Sequence, residues 1–340
     1  RACRKKTFEH RVLPDFSNFD GNAQGIRILA RLQWHKDAYG LNLTHSQIAS
    51  ALKYTRSTVD PMRAFPSHKK AGYFVTEKQI VEKMWTELDW FPNRRFPLAY
   101  IMETADDIAY CISDIDDAIQ KLLFTDRDFL KSVAAIESRS SAGKSGILQE
   151  IIRSLKRDGH EDSEDTAPDR QAGHIFHDFK IELTRRLVRR AAQAFIANQS
   201  SMDNGSCNAL LEIDADTLSA LESLKALARD RVYTSSEAQR PEIAGNHIIR
   251  NVLTGLSPLL KMSQADFQKL VGGEVKKGFD LERRLFRLLP PKHVIVYSNS
   301  KADDKYDEWL NRAHLITDYV SGMTDSFAFE THQLFAGIVV

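Results

Sequence analysis

The sequence has few cysteines and no long apolar run. Cys3, Cys111 and Cys207 are scattered along the 340-residue chain with no paired spacing. This pattern argues against a disulfide framework or a zinc site and is typical of a reducing compartment. No apolar run approaches the ~20 residues that a membrane span needs. Since the first ten residues (RACRKKTFEH) are also basic and polar, unlike a signal peptide, we expect a cytoplasmic protein with no membrane association.

The chain also lacks a net charge of either sign. Lysine and arginine total 47, aspartate and glutamate total 46, and the formal net charge is +1. No overall field therefore attracts nucleic acid or membrane, and any anion binding must come from local clusters. The hydrophobic (42%) and charged (27%) fractions are those of an ordinary globular protein, with room for one large domain or two smaller ones.

Strand-like alternation is scarce, and helical periodicity dominates. The apolar spacing predicts helices over 22–36, 45–54, 78–88, 99–123, 126–137, 145–156, 174–198, 208–228, 241–262, 264–271, 280–289 and 305–332. Thr44 and Ser263 mark two of the helix starts. The best strand candidate is 293–297, a β-rich run after two prolines, and the prolines within 56–70 predict a loop. The predicted fold class is all-α.

The most informative stretch lies at 96–117 (FPLAYIMETADDIAYCISDIDD). Within it, Asp106, Tyr110 and Asp114 stand at i, i+4 and i+8, which places them on one helical face. From this spacing alone, a polar stripe facing water is the more ordinary interpretation. Isoleucines flank the three residues and predict a largely buried helix: Ile101, Ile108, Ile112, Ile115 and Ile119. A buried carboxylate is costly unless it is paired or bound to metal, which favours a functional face.

This stretch resembles the signature of the bacterial deoxyguanosine triphosphatase family, part of the HD superfamily of metal phosphohydrolases. Other stretches agree with the family in order: FDGNAQGIRIL at 19–29, GLNLT at 40–44, ALKYTR at 51–56, KKAGYF at 69–74, ERRLF at 282–286 and DYVSGMTDSFA at 318–328. The resemblance implies an HD-domain-like helical bundle with a helical C-terminal extension. Residues 1–140 would be the C-terminal part of the catalytic core, and 141–340 would complete the nucleotide pocket and form oligomer contacts.

The resemblance implies a role for each residue on the helix face. Asp106 matches the last aspartate of the family's metal set, so it would be a catalytic residue that binds Mg²⁺ or Mn²⁺. Tyr110 matches a tyrosine under the deoxyribose, whose ring would fill the space that a 2′-hydroxyl needs. Asp114 matches an aspartate that forms a hydrogen bond with the 3′-hydroxyl of the sugar.

Phosphate contacts are implied at four positions. Asn22 matches an asparagine that contacts phosphate, and Lys53, Tyr54 and Lys70 match residues that hold the triphosphate. A triphosphate is a polyanion and needs several cationic donors besides metal, which these lysines would supply locally. For each lysine taken alone, a solvated surface residue is the more ordinary interpretation. Asn22 could equally be a helix N-cap.

Base contacts are implied further along the chain, at Glu242 and Arg284. Glu242 could accept hydrogen bonds from two adjacent donors of guanine, and Arg284 could reach acceptor atoms on the base edge. An ordinary salt-bridged pair is the alternative for both. A further family arginine that helps to recognise guanine falls near Val275, where Lys276 or Lys277 would have to replace it. The sequence therefore does not imply a strict preference for guanine.

We expect the other metal-binding groups of the family to be absent from this chain. The superfamily binds its metal through a histidine, an adjacent His-Asp doublet and a distant aspartate, and all but the last precede the asparagine motif. Only 21 residues precede Asn22 here, and His10 is the only histidine among them.

Two other polar groupings have ordinary interpretations. The doublet His177-Asp178, with His174 one turn earlier, follows the aspartate helix, which reverses the family order, and we interpret it as part of an amphipathic helix. The arginines at 185–186 and 189–190 could face a partner or nucleic acid, but a solvated helix face is the more ordinary interpretation.

Two functions are compatible with these motifs. The implied activity is metal-dependent hydrolysis of dGTP, with other dNTPs as further substrates, to deoxynucleoside and inorganic tripolyphosphate. In the first hypothesis the cellular protein is this hydrolase and the 340 residues are part of it. In the second, the chain is a complete but catalytically silent relative that binds dNTPs or single-stranded DNA as a sensor or partner subunit. The resemblance also implies a homo-oligomer, a tetramer or hexamer, with single-stranded DNA or dNTP as effector.

Overall fold

Helices form most of the regular structure in the computed structural model, which describes residues 12–34, 36–37, 39–61, 65–139, 146–157, 174–274 and 277–338. The all-α fold class is confirmed. The chain divides into two compact units: unit 1 comprises Arg1–Asn93 and Pro241–Val340, and unit 2 comprises Arg94–Arg240. The division expected after residue 140 therefore lies within unit 2. Unit 1 combines an N-terminal and a C-terminal part of the chain. Because these parts are far apart in sequence, the sequence alone does not reveal that they pack together.

The N-terminal part of unit 1 consists of short helices and a small sheet. Its helices are α1 (Leu13–Ser17), α2 (Gly21–Arg27), α3 (His45–Ala51) and α4 (Lys78–Glu87), and α2 continues into a π-helical turn at Ile28–Leu32. Thr44 caps α3 through a capping box with Gln47, which confirms the predicted start. Two parallel strands, β1 (Arg56–Ser57) and β2 (Ala71–Tyr73), border the predicted loop. They are too short to give an alternating pattern.

Unit 2 is a helical bundle around an apolar core. Its helices are α5 (Pro97–Gln120), α6 (Asp126–Arg139), α7 (Gly146–Arg157), α8 (His174–Ala197), α9 (Gln199–Asp203) and α10 (Ala215–Leu227), which continues into a π-helical turn at Ala228–Val232. In the core, the ring centroid of Phe129 lies 5.0 Å from that of Phe176 and 4.8 Å from that of Phe179, in edge-to-face contacts. Burial among these helices raises the pKa of Cys111 to about 11.

The remaining helices belong to the C-terminal part of unit 1, except that the first of them starts within unit 2, at residues 236–240. They are α11 (Ser236–Lys261), α12 (Gln264–Val271), α13 (Asp280–Phe286), α14 (Pro291–Asn299), α15 (Lys305–Ser321) and α16 (Asp325–Phe335). Ser263 caps α12 as predicted, and Thr324 caps α16, so the single helix predicted over 305–332 is divided in two. No helix in the described ranges is long and apolar enough to cross a membrane.

The strand predicted at 293–297 is wrong, because these residues belong to α14. Pro290 is the N-cap and Pro291 is the first helical residue, where the fixed φ of proline suits a helix and its missing N–H costs nothing. A short apolar run does not distinguish a strand from a buried helical turn. Packing of Val296 and Tyr297 into unit 1 overrides the β-preference of the branched residues.

A buried ion cluster joins the two ends of the chain within unit 1. The Arg27 guanidinium lies 2.8 Å from an oxygen of Asp318 and 2.8 Å from an oxygen of Glu77, and each of the three side chains is at most 4% exposed. Gln24 also donates to Asp318 (3.0 Å), and Arg31 pairs with Glu77 (2.8 Å). Burial opposes ionisation of Asp318, but the Arg27 charge and its hydrogen bonds hold the pKa of this carboxyl below its ordinary value. We call these five residues the Arg27 cluster.

A second buried contact ties the same segments together. The imidazole of His314, on α15, lies 2.9 Å from the carboxylate of Asp15, on α1. The Thr58 hydroxyl and the Val75 backbone N–H also donate to Asp15, the latter over 3.1 Å. The acid is 1% exposed, so these donors replace the water that it loses.

Removal of the Asp318 charge tests the Arg27 cluster. In Asp318→Asn, a buried Arg27 keeps Glu77 as its only full countercharge, so we expect the free energy of unfolding of unit 1 to fall by about 3–5 kcal/mol. The measurement is urea unfolding followed by tryptophan fluorescence. All four tryptophans belong to unit 1: Trp34, Trp85, Trp90 and Trp309. The matched control is Asp280→Asn, which breaks the exposed pair with Arg283 and should cost less than about 1 kcal/mol. Equal losses in the two variants would contradict the prediction.

His293 provides a pH-dependent test of unit 1. Burial lowers the pKa of this imidazole below its usual 6.5, the positive charge of Arg27 acts in the same direction, and Asp318 opposes both. As the pH falls through about 6.5, the unfolded chain therefore binds a proton before the folded one does, and stability decreases. We expect His293→Gln to flatten the loss of stability between about pH 7 and pH 5. Identical slopes for the variant and the wild type, by urea unfolding, would refute this assignment.

Candidate functional site

Two of the residues assigned to phosphate, Asn22 and Lys70, contact a carboxylate at the start of α2. Asp20 is the N-cap of this helix, and its Oδ1 accepts hydrogen bonds from the Asn22 backbone N–H (2.9 Å) and the Asn22 side-chain amide (2.5 Å). The other oxygen of Asp20 lies 3.2 Å from the Lys70 ammonium. The N-cap alternative for Asn22 is therefore wrong, because Asp20 has the better placed acceptor. Its hydrogen bond and charge, followed by the nearby Tyr54 hydroxyl, raise the pKa of Lys70.

Tyr54 lies near Lys70, and Lys53 precedes Tyr54 on the segment that leads into β1. The Lys53 ammonium lies 6.0 Å from the centroid of the Tyr54 ring. Lys70 immediately precedes β2, which pairs with β1, so the sheet brings the two segments side by side. The Lys70 side chain is 53% exposed and is accessible to an anion. We call Asn22, Lys53, Tyr54 and Lys70 the phosphate cluster.

The backbone of Tyr54 packs directly against Gly72, in the centre of β2. A Cβ at Gly72 would lie 1.6 Å from the Tyr54 carbonyl oxygen, so only glycine permits this approach. Next to Tyr54, the Thr55 backbone N–H donates to the Ser67 carbonyl over 3.1 Å. These contacts fix the segment that carries Lys53 and Tyr54 relative to the strand that follows Lys70.

The residues assigned to the base lie on two helices of unit 1. Glu242 is exposed near the start of α11, and Arg284 is exposed on α13. Both side chains are described, and no ion pair joins them, so the salt-bridged alternative is wrong. Lys277 is exposed, whereas Val275 and Lys276 lie outside the described residues.

The predicted helix face in unit 2 lies opposite the core. Helix α5 is confirmed, but Asp106 is exposed, Tyr110 is 58% exposed, and Asp114 is partly buried. The apolar core cluster begins at Ile108, and Ile101, on the same apolar stripe but two turns earlier, is 47% exposed. The isoleucine stripe is buried from Ile108 to Ile119 as predicted, but the face that carries Asp106 and Tyr110 is exposed. The cost of a buried carboxylate no longer argues for a function of Asp106.

Sequence reasoning missed one residue next to this face. The hydroxyl of Tyr233, which follows the π-helical turn at Ala228–Val232, donates a hydrogen bond to the Asp114 carboxylate. The same oxygen lies 3.4 Å from the Tyr110 hydroxyl. Burial and the hydrogen bond to Asp114 raise the pKa of Tyr233, so it stays a protonated donor at neutral pH. Because it is 123 residues from Tyr110, no local pattern could have indicated it.

The described residues do not by themselves form a metal site. Among them, no three histidine, cysteine, aspartate or glutamate side chains lie together in a group that could hold a metal ion. The His177-Asp178 doublet is exposed on α8, while Phe176 and Phe179 on the same helix are buried in the core. These positions support the interpretation of the doublet as part of an amphipathic helix. The side chain of His174 lies outside the described part of the chain.

Neighbouring acids neutralise most of the arginine row on α8. Arg185 and Arg186 both pair with Glu182 (2.8 Å each), and Arg190 lies 3.3 Å from Asp214. The pairs are exposed or partly exposed, as expected for a solvated helix face. The row therefore shows no excess of charge that would by itself indicate nucleic acid.

Comparisons with known proteins identify the chain's relatives. A family model for a phosphohydrolase-associated domain matches residues 282–334. The chain is 33% identical over 339 residues to the deoxyguanosinetriphosphate triphosphohydrolases of Yersinia enterocolitica and Yersinia pestis, and 31% identical over 344 residues to that of Klebsiella pneumoniae. These alignments cover 95%, 95% and 98% of the chain. The chain is a homologue of the deoxyguanosinetriphosphate triphosphohydrolase family.

The similarity covers nearly the whole of this chain but only part of each relative. The chain spans 64% of the length of the two Yersinia proteins and 65% of the Klebsiella protein, in each case less than two thirds. The residues matched to the phosphohydrolase-associated domain include His314 and Asp318. Through Asp15 and Arg27, these two side chains attach the matched region to the N-terminal part of unit 1.

Gly72→Ala tests the close contact beneath the phosphate cluster. The added Cβ would overlap backbone atoms of Tyr54, so β2 or its neighbour must shift, and we expect a loss of about 1–3 kcal/mol in the stability of unit 1. Gly25→Ala is the control, because a Cβ there meets no atom within 4 Å and alanine favours the α2 helix by up to about 1 kcal/mol. Urea unfolding followed by tryptophan fluorescence measures both variants. Wild-type stability of Gly72→Ala would show that the contact is not as tight as described.

Proposed function

We propose that the protein is a metal-dependent hydrolase that converts dGTP, and other dNTPs to some extent, to deoxynucleoside and inorganic tripolyphosphate. In this proposal, the chain supplies the residues that hold the nucleotide. The observation that carries the proposal is the phosphate cluster. Asn22 and Lys70 meet at Asp20, Tyr54 lies near Lys70, and Lys53 is next to Tyr54, in a homologue of enzymes named for this reaction.

The polar groups of the phosphate cluster suit a polyphosphate chain. Asp20 takes one of the two amide protons of Asn22, which leaves the other for a phosphate oxygen. Lys70 keeps its charge beside Asp20, yet half of its surface is exposed, so an anion can approach. Lys53 adds a second positive charge beside the Tyr54 ring. A charged donor to phosphate is worth about twice a neutral one, so the two lysines would dominate the binding energy.

The remaining roles belong to residues outside this cluster. The exposed ring of Tyr110 would lie under the deoxyribose and clash with a 2′-hydroxyl, and the Asp114 carboxylate would accept a hydrogen bond from the 3′-hydroxyl. Glu242 and Arg284 would contact the base from α11 and α13. Asp106 would be one ligand of a divalent metal, Mg²⁺ or Mn²⁺, whose other ligands the described residues do not provide.

Binding without turnover is the second candidate function. The phosphate cluster supports it as well, because the exposed Lys70 can bind an anion without turnover. In this alternative the protein is a catalytically silent relative, and the same phosphate and sugar contacts bind dNTPs or single-stranded DNA as a sensor or partner subunit. The two candidates share the binding residues and differ only in whether the α-phosphorus reacts.

Turnover by the whole gene product separates the two candidates. Incubation with dGTP and Mn²⁺, with detection of inorganic tripolyphosphate, should give a product that EDTA abolishes. Binding of dGTP with no tripolyphosphate released would favour the silent relative. Neither binding nor release would contradict both candidates.

Loss of one lysine tests the phosphate cluster directly. In Lys70→Ala, a charged donor to phosphate is lost, and we expect dGTP and inorganic tripolyphosphate to bind about 10- to 100-fold more weakly by calorimetry. The matched control is Lys78→Ala, whose ammonium is similarly exposed (44%) and lies 3.9 Å from Glu82 on α4. The control should change neither affinity by more than about twofold. Equal affinities for Lys70→Ala and the wild type would remove Lys70 from the site.

A further inference from the structure

Tyr233 has a position that no sequence motif or comparison assigns to a function. It follows the π-helical turn at the end of α10, and its backbone N–H donates to the Ala228 carbonyl over 3.0 Å. Leu227 is fully buried and Ala228 is 5% exposed, so the turn is anchored in the core of unit 2. Tyr233 as a whole residue is 39% exposed. A fixed backbone therefore presents a partly exposed phenol.

The phenol joins the two residues assigned to the sugar. Its hydroxyl donates to Oδ2 of Asp114, and its oxygen lies 3.4 Å from the oxygen of Tyr110. A phenol has one proton, so Tyr233 uses it for Asp114 and retains only acceptor capacity toward Tyr110. Tyr110, Tyr233 and Asp114 thus form a row of hydrogen-bonded side chains within unit 2.

The hydrogen bond from Tyr233 leaves one oxygen of Asp114 available to a ligand. A carboxylate has two oxygens, and the hydrogen bond from Tyr233 engages Oδ2, so Oδ1 can accept from a second hydroxyl. The bond also restricts rotation of the carboxyl group, because the donor is attached to a rigid aromatic ring. A π-helical turn inserts one extra residue into a helix and often occurs at functional sites. The turn at Ala228–Val232 lies immediately before Tyr233.

We propose that Tyr233 is a positioning residue of the sugar site, which orients Asp114 toward a 3′-hydroxyl and holds Tyr110 in place beneath the deoxyribose. The inference rests on the proposed function, since it takes the sugar roles of Asp114 and Tyr110 from there. It adds a residue that acts through the other two. Tyr233 touches neither the phosphates nor the reacting atoms in this account.

Tyr233→Phe tests the inference, because it keeps the ring and removes only the hydroxyl. Calorimetry in EDTA, which prevents turnover, gives the affinities of the whole gene product for dGTP and for 2′,3′-dideoxy-GTP, and their ratio reports recognition of the 3′-hydroxyl. We expect Tyr233→Phe to reduce that ratio by about 3- to 10-fold, with tripolyphosphate binding unchanged. Tyr297→Phe is the matched control, because it removes a phenol that donates to the Glu308 carboxylate over 2.7 Å in unit 1. The control should leave the ratio at its wild-type value.

The outcomes distinguish this inference from the proposed function. If the wild type binds dGTP in preference to the dideoxy analogue and Tyr233→Phe keeps the same ratio, the inference is overturned and the proposed function stands. Equal weakening of dGTP, the analogue and tripolyphosphate also overturns it, because a purely structural role predicts an unchanged ratio. A wild type that binds no dGTP overturns both. Far-ultraviolet circular dichroism of each variant verifies that the helices are retained.

Discussion

Arg27, buried between Glu77 and Asp318, is the interaction on which unit 1 depends. A buried guanidinium is tolerated only when carboxylates and hydrogen bonds replace its water, so the segments that carry these two acids must meet around it. One acid precedes α4 and the other lies on α15, 291 residues from Arg27. Arg27 is the last residue of α2, and Asn22 is the second residue of the same helix. The cluster therefore fixes the helix whose first turn contributes to the phosphate cluster.

Each unit presents its own set of polar side chains on a rigid support. In unit 1, Asp20 ties Asn22 to Lys70, and Gly72 allows the strand beyond Lys70 to pack against the neighbouring backbone. In unit 2, an isoleucine stripe anchors α5 in the core, and the opposite face is left for Asp106, Tyr110 and Asp114. The burial of apolar groups thus determines which polar groups are accessible, which is what a binding surface needs.

The sequence predicts those parts of the molecule that local chemistry controls. Helical periodicity locates α5 and most other helices, and Thr44 correctly marks the start of α3 because a cap acts within one turn. The same reasoning fails at 293–297, where β-branched residues form a helix because tertiary packing outweighs propensity. It also missed Asp20 as the cap of α2. Tyr233 was missed beside Asp114 because the two residues are 119 positions apart in sequence. The roles given to the site residues come from family resemblance and stay predictions.

The most direct measurement of the central claim is an experimental structure of the gene product with bound dGTP. We expect the phosphate oxygens to lie within hydrogen-bond distance of the Lys70 ammonium and the Asn22 amide, with Arg27 at the end of α2 still paired to Glu77 and Asp318. A triphosphate bound elsewhere, with Asn22 and Lys70 still engaged only by Asp20, would contradict it.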